Sequence, residues 1–111
     1  MEDFNKITLL SAAILTSYGE FSYRRIALAE AVEIIKNAGT VESAVGHDST
    51  AEILSELLDY KIEKNRIEYD QHTGNTALVF RLKSRPGEGE VLDREQVEKI
   101  GYEFGLLEKI K

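Results

Sequence analysis

The sequence contains no cysteine. Without cysteine the chain has no disulfide bond, no thiolate nucleophile and no zinc–thiolate site. It has only two histidines, so we do not expect a multi-histidine metal site within one chain. The glycine-rich phosphate loop of nucleoside triphosphatases is also absent. We therefore predict a protein that works without a metal ion or another cofactor.

The sequence also lacks an excess of positive charge. Lysine and arginine together number 14 and aspartate and glutamate 20, which gives a formal net charge of -6. Proteins that bind long DNA or RNA contact many phosphates and are usually basic overall. We therefore exclude long DNA and RNA as partners, and we expect any nucleotide ligand to be small and any positive charge to be local.

Long apolar runs are missing as well. No stretch approaches the run of about 20 apolar residues that spans a bilayer. The acidic start, Met1-Glu2-Asp3, lacks the basic residues that open a signal peptide. We therefore expect a cytoplasmic protein with no membrane partner.

The residues that are present suit a single α/β domain covering residues 1–111, because 42% of them are apolar. The polar, glycine-containing residues 72–75 predict a hairpin turn between two strands. Apolar and alternating runs predict five strands, at Lys6–Leu10, 41–45, 66–70, 76–83 and 102–110.

Three segments have the spacing of amphipathic helices. The first begins at Leu28, and the second begins at Ser49, which with Glu52 has the spacing of a capping box. Asp93 predicts the start of a third helix and Gly101 its end. The order of these elements predicts a mixed sheet of about five strands flanked by helices, with its first two strands parallel.

His47 stands directly before the second predicted helix. The first turn of a helix presents unpaired backbone N–H groups and a partial positive charge, which suit a phosphate. Gly46 lets the backbone approach a ligand closely, and an imidazole beside a phosphate can transfer a proton during phosphodiester cleavage. A histidine that only packs in the turn would show the same pattern, and the local sequence alone favours that simpler interpretation.

Two further segments carry arginines that could grip a phosphate. Arg85 lies in a loop with proline and glycine, and Glu88 follows three residues later, where it could orient the arginine or contact a ribose hydroxyl. Arg66 follows Lys64 and Asn65 at the start of a predicted strand. A surface loop with an ion pair and an ordinary solvated strand start are the simpler alternatives.

Together these motifs resemble the viral ring nuclease anti-CRISPR family, long catalogued as a domain of unknown function. The resemblance covers residues 7–110 and rests on the order and spacing of three separate motifs. These are residues 46–50 before an apolar helix, residues 64–66 at a strand start, and Ser84-Arg85 with Glu88-Gly89 and Val91-Leu92.

The resemblance implies a homodimer that encloses one cyclic tetra-adenylate, the second messenger of type III CRISPR systems. It implies a cleavage that needs no metal. A ribose 2′-hydroxyl attacks the adjacent phosphorus, the 5′-oxygen leaves, and linear di-adenylate with a 2′,3′-cyclic phosphate is released. Loss of the messenger would silence the effector ribonucleases of the defence.

By position, the catalytic histidine of the family falls on His47 and its loop glutamate on Glu88. Its binding arginines fall on Arg66 and Arg85, and Ser49 is expected to join them in binding substrate.

Where members often carry asparagine and alanine after the first strand, this sequence has Ser11-Ala12. Serine can still hydrogen-bond a phosphate or ribose, but it is shorter and has no amide, which puts one ligand contact in doubt.

Two other functions stay open at this stage. The chain could bind the messenger without cutting it, although sequestration does not need an imidazole at position 47. It could instead inhibit a host complex through its acidic surface, in which case it would need no small ligand.

Overall fold

The computed structural model describes residues 6–11, 15, 17–65, 67, 69, 71–83 and 93–111. None of the helices in these ranges has the length and apolar character needed to cross a bilayer. The described elements are, in chain order, β1 (Lys6–Leu10), β2 (Phe21–Ile26), α1 (Leu28–Asn37), β3 (Thr40–Ser43), α2 (Asp48–Leu58), β4 (Thr76–Leu82), α3 (Arg94–Ile100) and β5 (Tyr102–Lys109).

The strands form one sheet of five in the order β2-β5-β4-β1-β3. β1 pairs in parallel with β3 on one side and with β4 on the other, whereas β5 runs antiparallel to both β4 and β2. Four strands therefore run in one direction and β5 in the other. The predicted mixed sheet of five strands is confirmed, and so is the parallel pairing of the first predicted strand with the second.

All the described helices pack on one face of the sheet, where they bury the larger core. Burying one aliphatic side chain of the size of leucine stabilises the folded state by about 1.5–3 kcal/mol. The apolar face of α2 lies in this core and is at most 5% exposed at Ile53, Leu54, Leu57 and Leu58.

The opposite face of the sheet carries a smaller core, which is not covered by the described helices. Gln71 is also buried, and its Nε2 donates to the carbonyl oxygens of Leu107 (2.8 Å) and Asn75 (2.9 Å). These bonds tie residues 71–75 to the end of β5. The smaller core consists of Leu10, Ala77, Val79 and Leu107.

The predicted hairpin between residues 66–70 and 76–83 is wrong. β4 pairs with β1 and β5, and the described residues Ile67 and Tyr69 belong to no strand. Residues 72–75 do form a turn that leads into β4, in which the N–H of Asn75 donates to the carbonyl oxygen of His72 (2.9 Å). Tyr69 packs against the smaller core, so an apolar residue that suggested a strand covers the sheet instead.

The sequence did not predict β2, which lies at an edge of the sheet. Residues 22–25 are all exposed, so the strand shows no alternation of buried and exposed positions. Backbone pairing with β5 and the burial of Ile26 hold β2 in place, while the exposed side chains of residues 22–25 carry no strand signal.

The third helix and the last strand agree with the prediction. Asp93 is the N-cap of α3, and its Oδ1 accepts a hydrogen bond from the backbone N–H of Gln96 (2.8 Å). Gly101 ends the helix with φ 90°, a conformation that favours glycine. β5 follows at once.

Candidate functional site

The carboxyl ends of β1, β3 and β4 meet at one edge of the sheet, because these three strands are parallel. Ser11 follows β1, residues 44–47 follow β3 and Lys83 follows β4. We call this side of the sheet the carboxyl edge. β3 and β4 lie on opposite sides of β1, and in open α/β sheets ligands bind outside the carboxyl ends of the strands at such a reversal.

His47 lies on the carboxyl edge as the N-cap residue of α2. Its backbone is extended (φ -130°, ψ 135°), and its carbonyl oxygen accepts the first helical bond, from the N–H of Ala51 (3.0 Å). Its side chain is exposed and makes no capping hydrogen bond. The imidazole therefore does not hold the turn together, which argues against a purely packing role.

Ser49 is the second residue of α2 and is half-buried. The predicted capping box is wrong at this helix, because the N-cap position falls on His47, two residues before Ser49. A serine inside the first turn has helical backbone and no longer stands where an N-cap side chain reaches the free N–H groups. The positive end of α2 therefore opens toward the carboxyl edge without a cap from its own N-cap residue.

The Lys64-Asn65 segment lies beside the turn that carries His47. The Nζ of Lys64 is 3.6 Å from the Oδ2 of Asp48, the first residue of α2. Asn65 donates its backbone N–H to the carbonyl oxygen of Val45 (2.7 Å). Both charged side chains are well exposed, so the ion pair contributes at most about 1 kcal/mol. The ion pair matters for the site because it places the ammonium group of Lys64 at the start of α2.

Ser11 lies at the same edge, in a half-buried bend directly after β1. The register pairs Leu9 with Ser43, and Leu9 accepts a further bond from the N–H of Ala44 (3.0 Å). Continued for two residues, this register sets Ser11 level with Val45, two residues before His47. The fold thus brings Ser11 and His47 to one side of the molecule although they are far apart in sequence.

The other predicted site residues, Arg66, Arg85 and Glu88, lie outside the described residues. Their predicted roles therefore stay predictions. In the part of the chain that the structure describes, no group of three or more histidine, aspartate or glutamate side chains is placed to hold a metal ion.

The sequence analysis missed a charged cluster on the sheet face opposite the helices. Glu103 lies 2.9 Å from Arg81 and 3.7 Å from Arg25, measured between carboxylate oxygen and guanidinium nitrogen. Tyr23 packs on Gly105, where a Cβ atom would meet its ring. Burial raises the pKa of Tyr23, Glu103 raises it further and Arg81 lowers it.

The STIV B116-like family pattern matches residues 7–104 of this chain. The curated relatives include "Uncharacterized protein YddF" of Bacillus subtilis (strain 168), which is 33% identical over 95% of this chain and 98% of that protein. "Uncharacterized protein 26" of Sulfolobus islandicus filamentous virus (isolate Iceland/Hveragerdi) is 36% identical over 78% of this chain and 74% of that protein.

A third relative, "Uncharacterized protein ORF117" of Acidianus two-tailed virus, is 31% identical over 83% of this chain and 80% of that protein. Among solved structures, B116 of Sulfolobus turreted icosahedral virus matches with a TM-score of 0.73 and 24% identity, over 93% of this chain and 98% of that one. At this identity the structural match shows a shared fold.

Proposed function

This chain belongs to the STIV B116-like family, and we propose that it is a metal-independent ring nuclease that cleaves cyclic tetra-adenylate. The observation that carries the proposal is the position of His47. Its imidazole is exposed at the uncapped start of α2, on the carboxyl edge of the sheet. The resemblance of residues 46–50, 64–66 and 84–92 to viral ring nucleases supplies the substrate, and two relatives come from viruses.

In the proposed reaction the substrate provides its own nucleophile. A ribose 2′-hydroxyl gives up its proton to solvent water and its oxygen attacks the adjacent phosphorus. The bond from phosphorus to the 5′-oxygen breaks, and His47 donates a proton to that oxygen. Two such cuts in the ring release two linear di-adenylates with 2′,3′-cyclic phosphate ends. Because attack is intramolecular, the protein has mainly to align the reacting groups and protonate the leaving oxygen.

The proposal explains how an acidic chain could hold an anion with several phosphates. The start of α2 and Lys64 lie at the carboxyl edge, where Asp48 offsets the charge of Lys64, so the positive charge for the phosphates would come mainly from Arg66 and Arg85. The resemblance supplies these two arginines as phosphate ligands and Glu88 as a catalytic partner. A homodimer would present each of these groups twice, which suits a two-fold symmetric ligand. The site of action would be the cytoplasm of the host cell, where loss of the messenger switches off type III CRISPR effectors.

The direct test is incubation with cyclic tetra-adenylate in the presence of a chelator, followed by chromatography of the products. We expect linear di-adenylate with a 2′,3′-cyclic phosphate. Replacing His47 by alanine should lower turnover by about 100-fold or more, because general acid catalysis contributes at least that much, and should leave binding largely intact.

His72→Ala is the matched control. His72 is also exposed, but it lies in the turn before β4, at the opposite edge of the sheet, so this variant should cleave at the parental rate. Tight binding without product would show a protein that only sequesters the messenger. Neither binding nor product would favour inhibition through a protein surface.

A further inference from the structure

Asn65 makes two hydrogen bonds to the turn that carries His47. Its backbone N–H donates to the carbonyl oxygen of Val45 (2.7 Å), and its side-chain Nδ2 donates to the carbonyl oxygen of Ser43 (2.8 Å). The hydroxyl of Ser43 in turn donates to the carbonyl oxygen of Glu63 (2.6 Å). We call this set of contacts between residues 43–45 and 63–65 the Asn65 clip.

The clip begins where β3 ends. Alternate carbonyl groups of an extended chain point to the same side, so the carbonyls of Ser43 and Val45 face one way and the N–H of Ala44 faces the other. The N–H of Ala44 bonds to Leu9 of β1 (3.0 Å), which leaves the two carbonyls on the outer side of the sheet. Asn65 supplies both donors there, one from its backbone and one from its amide.

The clip fixes the chain just before His47. Val45 is fully buried, and its backbone is tied to Asn65 on one side while its neighbour Ala44 is tied to β1 on the other. From His47 onward, the chain is held by the helical hydrogen bond from the N–H of Ala51 to the carbonyl oxygen of His47. The imidazole makes no capping bond of its own, so the backbone on either side decides where it stands.

We infer that Asn65 is a positioning residue, whose clip holds His47 where it can protonate the leaving oxygen. The inference rests on the proposed function. Asn65 directly precedes Arg66, so the 64–66 motif would serve the site through the hydrogen bonds of Asn65 as well as through its arginine.

The test replaces Asn65 by aspartate and, separately, by alanine. A carboxylate has the size of the amide but cannot donate to the carbonyl of Ser43, and alanine removes the donor without adding charge. Because a displacement of about 1 Å can cost about 100-fold in rate, we expect kcat for cyclic tetra-adenylate to fall by about 10- to 100-fold. In Asn65→Ala the KM should change little, since Asn65 would act through His47. Asn65→Asp also adds a negative charge near the phosphates, so its KM should rise.

Asn75→Asp is the matched control. The Oδ1 of Asn75 accepts a hydrogen bond from the N–H of His72 (2.9 Å), and a carboxylate can still accept it. This variant makes the same chemical change and adds the same charge, but at the opposite edge of the sheet, so its kcat should stay parental. Parental kcat in both Asn65 variants would overturn the inference. A raised KM with unchanged kcat in Asn65→Ala would also overturn it, because Asn65 would then contact the ligand directly.

A second measurement needs no activity. In the free protein, Asn65→Ala should shift the ring resonances of His47, leave those of His72 in place, and speed amide hydrogen exchange at residue 65. If the parental chain fails to cleave cyclic tetra-adenylate, the proposed function is wrong, whereas unchanged His47 resonances and unchanged exchange would overturn the clip itself. Circular dichroism at the assay temperature checks that both variants are folded.

Discussion

The starts of α2 and α3 differ in whether the side chain of the N-cap residue caps the first turn. At α3 the carboxylate of Asp93 caps the first turn through the backbone N–H of Gln96 (2.8 Å). At α2 the N-cap residue is His47, whose side chain makes no such bond. An N-cap of aspartate, asparagine, serine or threonine stabilises a helix by about 1 kcal/mol relative to a residue that cannot cap. α2 therefore does without a contribution that α3 has.

The two helices differ in how much they need a cap. α2 has eleven residues and buries an extended apolar face, whereas α3 has seven residues and buries Val97. Tertiary packing holds α2 in place, so its start is free to bind something else, while the short α3 depends more on its own first turn. Under the proposed function, the start of α2 would serve ligand binding, whereas the capped start of α3 serves stability.

The largest effect is expected from His47→Asp, which would give the first turn of α2 an aspartate cap like that of α3. Aspartate would accept a bond from the first-turn N–H groups, so we expect the free energy of unfolding to rise by about 1 kcal/mol. Turnover of cyclic tetra-adenylate should fall by about 100-fold or more, because the proton donor is gone. Urea unfolding and a turnover assay measure the two effects on one preparation.

His47→Ala separates the causes, since it removes the imidazole without adding a cap. It should lose turnover as well but gain no stability. A His47→Asp variant that is no more stable than His47→Ala would mean that the start of α2 is not open to a capping side chain, and the comparison with α3 would not hold.

A smaller effect is expected from removing the cap that exists. Asp93→Ala should lower the free energy of unfolding by about 1 kcal/mol, because the N–H of Gln96 loses its acceptor. Urea unfolding gives the value, and Asp93→Asn is the control because asparagine also caps well. Equal losses in both variants would assign the effect to the charge of Asp93 and not to its hydrogen bond.

Sequence reasoning predicted the elements whose side chains are sorted by burial. β1, β5 and the three described helices follow from apolar spacing, and Asp93 was correctly predicted as the start of α3. β2 was missed because residues 22–25 are exposed and show no alternation of buried and exposed positions. The hairpin was wrong because β4 pairs with β1 and β5, while Tyr69 packs against the smaller core. Both errors concern pairing between distant strands, which local patterns do not encode.

For the site, the sequence placed His47 before a helix and the fold confirms that position. It did not predict that Asn65 would bond to Ser43 and Val45, because that contact joins segments about twenty residues apart through the outer side of an edge strand. The signal was an asparagine before a segment that was wrongly predicted to be a strand. An asparagine at such a place reveals its partners only once the neighbouring strand is known.

The smallest effect in this comparison belongs to Ser49, the residue whose spacing predicted the cap. Because Ser49 lies inside the first turn of α2, Ser49→Ala should change the free energy of unfolding by less than about 0.5 kcal/mol, the range of substitutions that break no special contact. A true N-cap serine would cost about 1 kcal/mol, so urea unfolding distinguishes the two positions. If Ser49 binds substrate as the resemblance implies, the same variant should raise the KM for cyclic tetra-adenylate while its stability stays parental. A loss of stability as large as that of Asp93→Ala would mean that Ser49, and not His47, is the N-cap residue of α2.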